Sequence, residues 1–419
     1  MVGDRREAVA SRGVGALYVH VPFCAKKCAY CDFASCAIHR GDQRIDEYAS
    51  AIMRQLGELE SCGLLQGCKT AYVGGGTPSL MGADLLGSLV RSIRHHAPLV
   101  RELTCEANPD SLDDVTLESL RESCATRISI GVQSLSDDEL ASLGRLHDSR
   151  CAINRARAAV ACGLDVSIDL MCAIPYQTSQ SWQATLERAR GLGVGHVSVY
   201  PLELVPNTPL GRRYATCHTP WNNEDVQARR MEVAAHVLGV AGYERYEVAS
   251  YAISGKQCAH NKAYWTGVPY VGIGHAAAGM LNRRSYELLR QVATQLPALS
   301  NETARIRYRI TSPWEAILHE PALAAASMWL EFLDEQQALA EDLMLGMRLC
   351  EGLGADLIDR AQETFGNGFS RAVDGLLQAG LVERSANRLV PTRRGWLLGN
   401  EIYMALWSLA PASTREAEV

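Results

Sequence analysis

Short apolar runs alternate with amphipathic stretches from Ala16 to about Val248. Short apolar runs are typical of buried strands, and apolar residues at helical spacing are typical of helices packed on one face. The pattern predicts strands at Ala16–Val21, Lys69–Val73, Glu102–Glu106, Arg127–Gly131, Leu164–Leu170, Val194–Tyr200 and Tyr243–Val248. It predicts helices at Asp42–Glu60, Asp84–His96, Ser111–Arg121, Ser136–Leu143, Ser149–Cys162, Ser179–Gly191 and Glu224–Val240. Alternation of this kind gives parallel strands joined by right-handed crossovers. Six to seven units predict an α/β fold with a partial (β/α)6 barrel rather than a complete eight-unit barrel.

The pattern changes after Tyr251. Residues 254–281 are rich in glycine, alanine and aromatic side chains, with little periodicity, and residues 282–324 are mixed. We expect residues 251–330 to form a linker that carries a short helix. Beyond it, the pattern predicts helices at Glu335–Glu351, Ser370–Ala379 and Gly395–Leu406, with a two-stranded wing within Gly380–Thr392.

This order of elements predicts a small winged-helix-like domain at the carboxyl end. The expected organisation is a tail over 1–15, a core barrel over 16–250, the linker over 251–330, a helical domain over 331–408 and a tail over 409–419.

Composition and charge narrow the class of protein. The chain has 419 residues, of which 47% are hydrophobic and 21% charged, as in ordinary globular proteins. Its 41 Lys and Arg against 47 Asp and Glu give a net charge of −6, so we expect no nucleic-acid partner. Residues 1–15 are charged and lack the apolar segment of a signal peptide. No run of about 18 apolar residues is present. We therefore expect a cytoplasmic, reducing setting, in which clustered cysteines are more often metal ligands than disulfides.

Three of the 14 cysteines are close together directly after the first strand. Cys24, Cys28 and Cys31 form a C-x3-C-x2-C motif, and three thiolates at this spacing can hold one soft metal or cluster. A structural zinc site needs four ligands, usually in paired knuckles, and the second pair is missing. Three ligands would leave one iron of a [4Fe–4S] cluster open to a small chelating ligand. Cys36 is a candidate for a fourth ligand, and most other cysteines are expected to pack as small apolar residues.

Polar residues follow the predicted strands at one edge of the barrel. Gly74–Gly76 ends a strand, and glycines there let the backbone approach a ligand closely. Glu106, Gln133 and Asp169 each lie at the carboxyl end of a strand, where barrel enzymes place functional groups, and Arg145 follows in a loop. Together they suit a ligand with an ammonium group, a carboxylate and ribose hydroxyls. Taken singly, residues of these types are more often solvated or capping residues than ligand contacts.

The residues around the cysteines resemble a known family. The segment Tyr18–Phe33 contains Y-x-H-x-P-F-C-x3-C-x-Y-C-D-F, which resembles the signature of radical S-adenosylmethionine (SAM) proteins. Within that superfamily it is most similar to the branch of the oxygen-independent coproporphyrinogen III oxidases (HemN) and the HemW-type haem chaperones. The resemblance extends in order from about Ala16 to Leu406 through Gly74–Ser79, Glu106–Pro109, Arg127–Ser134, Leu143–His147, Asp169–Met171 and His260–Trp265.

This resemblance implies the cofactors and the residues that hold them. A [4Fe–4S] cluster would be ligated by Cys24, Cys28 and Cys31, with SAM on the open iron. The family positions that contact SAM correspond here to Tyr18, Tyr30, Gly75, Gly76, Thr77, Glu106, Gln133, Arg145 and Asp169.

The H-N-x-x-Y-W motif lies outside the barrel repeat and resembles a motif of HemW-type proteins, and this resemblance implies contact with haem. His260 would be an axial ligand, Asn261 stands beside it, and Tyr264 and Trp265 would offer a flat stacking surface. Cys258 is a second candidate ligand. The alternative is a polar turn with a hydrogen-bonded histidine and two core aromatic residues.

Two features favour the HemW type over the oxidases. Phe33 stands where the oxidases carry a further cysteine, and only 23 residues precede Cys24, whereas the oxidases have a longer leading segment. The chain also departs from the family pattern at Ala173 and Tyr176, where glycines are common, and at His275, where a small residue is usual. No catalytic residue is assigned, since any radical would come from the cofactor.

The expected function is therefore a haem chaperone on a radical SAM scaffold. Its partners would be an apo-haemoprotein recipient and a haem donor, and any contact with a membrane would go through the recipient. By analogy with the family, a homodimer that depends on the cluster is a further expectation that the sequence does not decide. One alternative is an enzyme that cleaves SAM, abstracts hydrogen from a porphyrinogen propionate and releases CO2. Another is a structural iron–sulfur protein with a decayed site.

Overall fold

The computed structural model describes residues 13–411 and 415–419. The strands, numbered in chain order, are β1 (Ala16–Val21), β2 (Phe23–Cys24), β3 (Cys36–Ala37), β4 (Thr70–Gly75), β5 (Glu102–Ala107), β6 (Arg127–Gln133), β7 (Asp165–Cys172), β8 (His196–Pro201), β9 (Glu244–Arg245), β10 (Ser250–Ala252), β11 (Tyr270–Ile273), β12 (Ala278–Asn282), β13 (Arg305–Ile310), β14 (Met328–Leu333), β15 (Val382–Ser385), β16 (Arg388–Pro391) and β17 (Arg415–Glu418).

The helices cover the outside of the sheet and build the carboxyl-terminal domain. They span Gln43–Ser61, Ala83–His96, Asp114–Glu122, Asp137–Ser142, Ser149–Ala161, Ser179–Arg190, Pro209–Tyr214, Glu224–Val240, Ala259–Trp265, Arg283–Leu289, Trp314–His319, Glu335–Gly346, Ala355–Phe365, Asn367–Gln378, Arg393–Leu397 and Gly399–Trp407, with 3-10 turns at Pro78–Met81 and Leu323–Ala325. Within the described residues, no helix is both long enough and apolar enough to span a bilayer.

Six parallel strands in the order β1, β4, β5, β6, β7 and β8 form the core of the main sheet. Their side chains alternate along each strand. In β6, Ile128, Ile130 and Val132 are buried against the helices, while Arg127 and Ser129 point into the barrel. Consecutive strands with covering helices confirm the predicted partial (β/α)6 barrel, and the polar inner face predicts an interior that holds a ligand rather than a dry core.

The seventh predicted strand, Tyr243–Val248, is wrong as a parallel barrel strand. The chain forms the two-residue β9 and turns back into β10, which pairs antiparallel with both β8 and β9. Because a short turn joins antiparallel strands directly, β10 occupies the place beside β8 that a seventh parallel strand would need. The barrel therefore stops at six units on this edge.

The segment predicted as a linker is instead a part of the main sheet. β11 pairs parallel with β1, and β12, β13 and β14 continue from it as an antiparallel meander. The signal lies in residues 305–310, where arginines alternate with Ile306, Tyr308 and Ile310, the period of a half-buried strand. The predicted carboxyl-terminal tail also differs, since β17 pairs with β14.

The carboxyl-terminal helices enclose a hydrophobic cluster of their own, which includes Leu343, Phe369 and Leu406. The antiparallel pair β15–β16 forms the predicted wing. A helix at Ala355–Phe365 that the periodicity did not predict completes the unit. Arg305 of β13 joins this domain to the sheet, with its guanidinium nitrogens 2.7 Å from Glu341 and 2.6 Å from Asp342.

Candidate cluster and cofactor site

A cavity of about 430 Å³ opens at the carboxyl ends of the parallel strands and extends into the barrel. Its walls are the inward-facing residues of β4 to β8. The end of β2, which carries Cys24, and the loop from β2 to β3, which carries Cys28 and Cys31, lie at its mouth. In α/β barrels this end gathers residues from several strands into one place. The alternation of side chains along the strands thus turns separate sequence motifs into one site.

The three cysteines of the C-x3-C-x2-C motif all line this cavity. Ala29 anchors their loop, since its N–H donates to Leu143 at 2.9 Å and its carbonyl accepts from Leu210 at 2.7 Å. The three sulfur atoms do not all lie within 4.8 Å of one another. Among the described residues, the possible ligand atoms of Glu60, His95 and His96 do lie that close together. A zinc tetrahedron would hold sulfurs about 3.8 Å apart. The wider arrangement fits a multinuclear cluster better than a single ion.

The sulfurs receive polar support from the barrel. The Thr77 hydroxyl donates to the sulfur of Cys24 at 3.4 Å, and Arg145 Nη1 donates to the sulfur of Cys28 at 3.5 Å. Burial raises the pKa of the Cys24 and Cys31 thiols. Because metal ligation needs the thiolate, these thiols require a compensating positive charge.

Arg145 supplies a buried positive charge between the cysteine loop and the strands. Its Nη2 donates to Asn108 Oδ1 and to the carbonyl of Gly131, both at 2.7 Å. Its Nε is buried and has no hydrogen-bond partner among the residues that the structure describes. A buried donor left without a partner costs about 1–3 kcal/mol, so the guanidinium suits an anionic group entering the cavity. A cluster with thiolate ligands or a ligand carboxylate would meet this requirement.

Two carboxylates lie inside the barrel below the cysteines. Glu106 accepts hydrogen bonds from the Tyr72 hydroxyl at 2.8 Å and from the Gly75 N–H at 3.0 Å. Burial raises the pKa of Glu106 to about 7, and the charge of Asp169 contributes. Burial also raises the pKa of Asp169 to about 6, against the effect of hydrogen bonds from Ser129 and Ser198. Two carboxylates held this way favour a cationic or hydroxyl-bearing ligand.

Backbone conformations at the cavity wall explain two of the predicted glycines. Gly75 has φ of +108°, and a Cβ there would lie 2.4 Å from the ring of His20. A Cβ on Gly76 would lie 2.7 Å from the Phe23 carbonyl oxygen. Gln133 has φ of +65° where the pairing of β6 with β7 changes register. A strained residue of this kind is typical of functional sites.

The structure brings most of the predicted SAM residues together. The cavity lining includes Tyr30, Gly75, Gly76, Thr77, Glu106, Gln133, Arg145 and Asp169. Tyr18 is the exception, because its side chain stacks on Tyr72 behind the cavity wall and its hydroxyl shares a hydrogen bond with His20 at 3.0 Å. Cys36 lies in β3 outside the lining, and Cys258 is buried at the far end, where its thiol donates to Glu102 at 3.4 Å.

His260, the candidate haem ligand, is fully buried in the helix Ala259–Trp265. Its Nδ1 shares a hydrogen bond with the Thr70 hydroxyl and its Nε2 with the Tyr264 hydroxyl, both at 3.0 Å. The ring also stacks on Tyr72 at 5.2 Å between centroids. Burial lowers the pKa of His260 to about 3, so the ring is neutral. In this conformation neither ring nitrogen is free for iron.

The rest of the motif has structural partners as well. Glu102 accepts from the N–H groups of Ala259 and His260 at 2.8 Å and so caps the helix. Trp265 donates to Glu247 at 3.2 Å, and the Arg348 guanidinium lies 5.0 Å from the Trp265 ring centroid. Asn261 faces the cavity from its far end. The arrangement matches the alternative of a hydrogen-bonded histidine among packed aromatic residues, and haem contact at the motif stays a prediction.

Several residues of the site were not predicted as ligands. Asn108 holds Arg145 and also donates to Thr77 at 2.9 Å, and Tyr72 holds Glu106. Asn108 lies within the quoted stretch Glu106–Pro109, and Tyr72 is at an inward position of β4, so both signals were present in the sequence. Their roles depend on contacts between strands, which spacing does not reveal.

The chain is similar to proteins of a known family. The family model of the Radical SAM superfamily matches residues 18–189, and the model of the HemN C-terminal domain matches residues 333–398. "Heme chaperone HemW" of Escherichia coli is 33% identical over 337 residues, which cover 78% of this chain and 88% of the relative. "Heme chaperone HemW" of Mycobacterium tuberculosis (strain H37Rv) is 30% identical, over 93% of this chain and 94% of the relative.

One solved structure is similar over nearly the whole chain. The coproporphyrinogen III oxidase HemN from Escherichia coli, described as a radical SAM enzyme, has a TM-score of 0.74. The match covers 97% of this chain and 94% of that one, at 18% sequence identity. At this identity the similarity concerns the fold alone.

Proposed function

Because the chain belongs to the HemW family of radical SAM proteins, we propose that it is a haem chaperone that carries a [4Fe–4S] cluster and SAM and delivers haem to an apo-haemoprotein. The observation that carries the proposal is the likeness to HemW relatives over most of the chain, at 30% identity or more. The cavity supports the cofactor part, because it combines three cysteines, a buried arginine and two carboxylates.

In this proposal the cluster is ligated by Cys24, Cys28 and Cys31, and when bound it supplies one-electron chemistry at the mouth of the barrel. The protein's own residues hold and orient the ligands. Arg145 offsets the thiolate charge and leaves its Nε for an anionic group. Glu106 and Asp169 would accept hydrogen bonds from the ammonium and hydroxyl groups of SAM.

The proposed partners are a haem donor and an apo-haemoprotein recipient, with no nucleic acid. We place this activity in the cytoplasm, where a reducing setting keeps the cysteines available as thiols. A homodimer that depends on the cluster, and association with a membrane through the recipient, are parts of the same proposal. The wing of the carboxyl-terminal domain is a candidate docking module.

Anaerobic reconstitution of the full chain followed by two assays tests the proposal. We expect one haem to bind per chain in a titration. In the second assay, with SAM, a reductant and coproporphyrinogen III, we expect no release of CO2 and no protoporphyrinogen. Robust conversion would refute the chaperone assignment in favour of the oxidase. Failure to bind haem while the cluster is intact would refute it as well.

A further inference from the structure

The cavity has the size of a site for one small-molecule ligand. Its volume of about 430 Å³ is near the lower end of the range for a single drug-sized ligand. SAM and the face of the cluster would already occupy it. The porphyrin macrocycle then needs a surface beyond this space. His260, which is buried with both ring nitrogens hydrogen-bonded, does not offer one.

Two exposed aromatic rings stand at the mouth of the same cavity. Phe33, two residues after Cys31, is 63% exposed. Tyr200, at the end of β8, is 43% exposed, and its hydroxyl lies inside the barrel near Ser198 and Asp169, so its ring faces the opening of the cavity. The other four phenylalanines of the chain are buried or half-buried. Single exposed apolar residues are common, but two large rings at the entrance of one site mark a binding surface. Leu202 and Val205 add apolar lining next to Tyr200.

The charges at the mouth favour one orientation of a ligand. Lys27 is exposed, lines the mouth and donates to the backbone carbonyl of Phe33 at 2.9 Å, so its ammonium lies beside the backbone of that residue. Asp32 and Glu203 are the exposed acidic residues of the lining. A flat aromatic ligand with carboxylates at one edge would stack on the rings and direct those carboxylates to Lys27, away from Glu203.

We propose that haem binds at the mouth of the cavity, with its macrocycle against Phe33 and Tyr200 and a propionate at Lys27. This inference rests on the proposed function and places haem beside the cysteine loop rather than at the helix of His260. It also gives a role to Phe33, which replaces the further cysteine of the oxidases in the motif. Haem at this position would be exposed on its outer face, as transfer to a recipient requires.

Equilibrium dialysis of haem against the reconstituted full chain tests the site, with bound haem measured as its pyridine complex so that cluster absorbance does not interfere. We expect Phe33→Ala and Tyr200→Ala each to raise Kd about tenfold and the double variant about a hundredfold. Phe33→Trp should restore binding. Met404→Ala is the matched control, because Met404 is also 63% exposed but lies in the carboxyl-terminal domain.

Lys27→Gln separates the charge from the stacking. It should weaken binding of haem several-fold and leave binding of haem dimethyl ester unchanged, because the ester has no carboxylate to pair. Iron and sulfide are measured for every variant. If Phe33→Ala loses the cluster, Phe33→Leu replaces it, since leucine keeps the apolar bulk without the aromatic face.

Wild-type affinity in the double variant would overturn this inference and leave the chaperone proposal standing. An equal loss of affinity in Met404→Ala would overturn it too, since the effect would not be local. A wild-type chain that holds its cluster but binds no haem would refute both.

Discussion

Replacing Glu106 with glutamine should stabilise the chain in the absence of ligands and weaken its binding of SAM. The carboxyl group is held by Tyr72 and Gly75 inside the barrel, where burial raises its pKa to about 7 from the ordinary 4.5. A carboxyl whose pKa is higher in the folded than in the unfolded chain favours the protonated form in the fold. The free energy of unfolding therefore falls as the pH rises from 4.5 through 7, and the full destabilisation is present above pH 7.

The size of the effect follows from the two pKa values. A difference between about 7 and 4.5 corresponds to about 3 kcal/mol of destabilisation once the carboxyl is ionised. Glu106 is half-buried and faces the cavity, so water there screens part of this cost. We expect the glutamine variant, which mimics the protonated carboxyl, to gain about 1–3 kcal/mol at pH 8 and almost nothing at pH 4.5. In a chain of this size that gain raises Tm by a few degrees.

Thermal unfolding of the wild type and Glu106→Gln at pH 5 and pH 8, without SAM, measures the first effect. Glu203→Gln, which removes an exposed carboxylate at the cavity mouth, is the control and should change little at either pH. Calorimetric titration of SAM into the reconstituted chain measures the second effect. We expect Kd to rise about 10- to 100-fold, because a hydrogen bond to a charged group is lost. A Tm difference that does not depend on pH, or an unchanged Kd for SAM, would refute the reasoning.

Three further predictions follow from the same site. A triple variant in which serine replaces Cys24, Cys28 and Cys31 should contain no bound iron or sulfide. The single variants Cys36→Ser and Cys258→Ser should retain both. A full content of iron in the triple variant would contradict the ligand assignment. His260→Ala should lower the free energy of unfolding in urea by about 2–4 kcal/mol, because a fully buried ring and two hydrogen bonds are lost. His39→Ala on the surface should leave it unchanged. A His260→Ala variant as stable as the wild type would show that the packing described is incorrect. Gly76→Ala should weaken SAM binding and lower Tm, because the new Cβ would lie 2.7 Å from the Phe23 backbone. Gly239→Ala, on an open helix face, should change neither. Normal SAM affinity in Gly76→Ala would contradict the proposed role of the turn.

The parts of the site that the sequence predicted have a common basis. Cys24, Cys28 and Cys31 are close in sequence, so their meeting needs only a short loop. Glu106, Gln133 and Asp169 are far apart in sequence, but each lies in the carboxyl-terminal half of a parallel strand, and parallel strands bring their carboxyl ends to one edge. Counting from the strands was therefore enough to predict that they share a cavity.

The residues whose surroundings the sequence did not reveal depend on contacts across the fold. Tyr18 lies in the signature motif, yet its ring packs on Tyr72 of the neighbouring strand and leaves the cavity lining. His260 lies in a motif with good haem chemistry, yet Thr70, Tyr72 and Tyr264 surround its ring. Neither outcome follows from the residue types or their spacing.

By itself, the sequence determined the strand and helix alternation of the barrel, the wing of the last domain and the cysteine triplet, because each rests on periodicity or short spacing within one segment. Only the tertiary structure decided that residues 270–310 extend the sheet beside β1, that β10 replaces a seventh barrel strand, and that His260 faces the core. The physical reason is the same in each case. A strand pairs with whichever segment has an unpaired edge, and a side chain is buried where other segments leave space for it. Those segments are distant in sequence, so no single stretch of the chain contains this information.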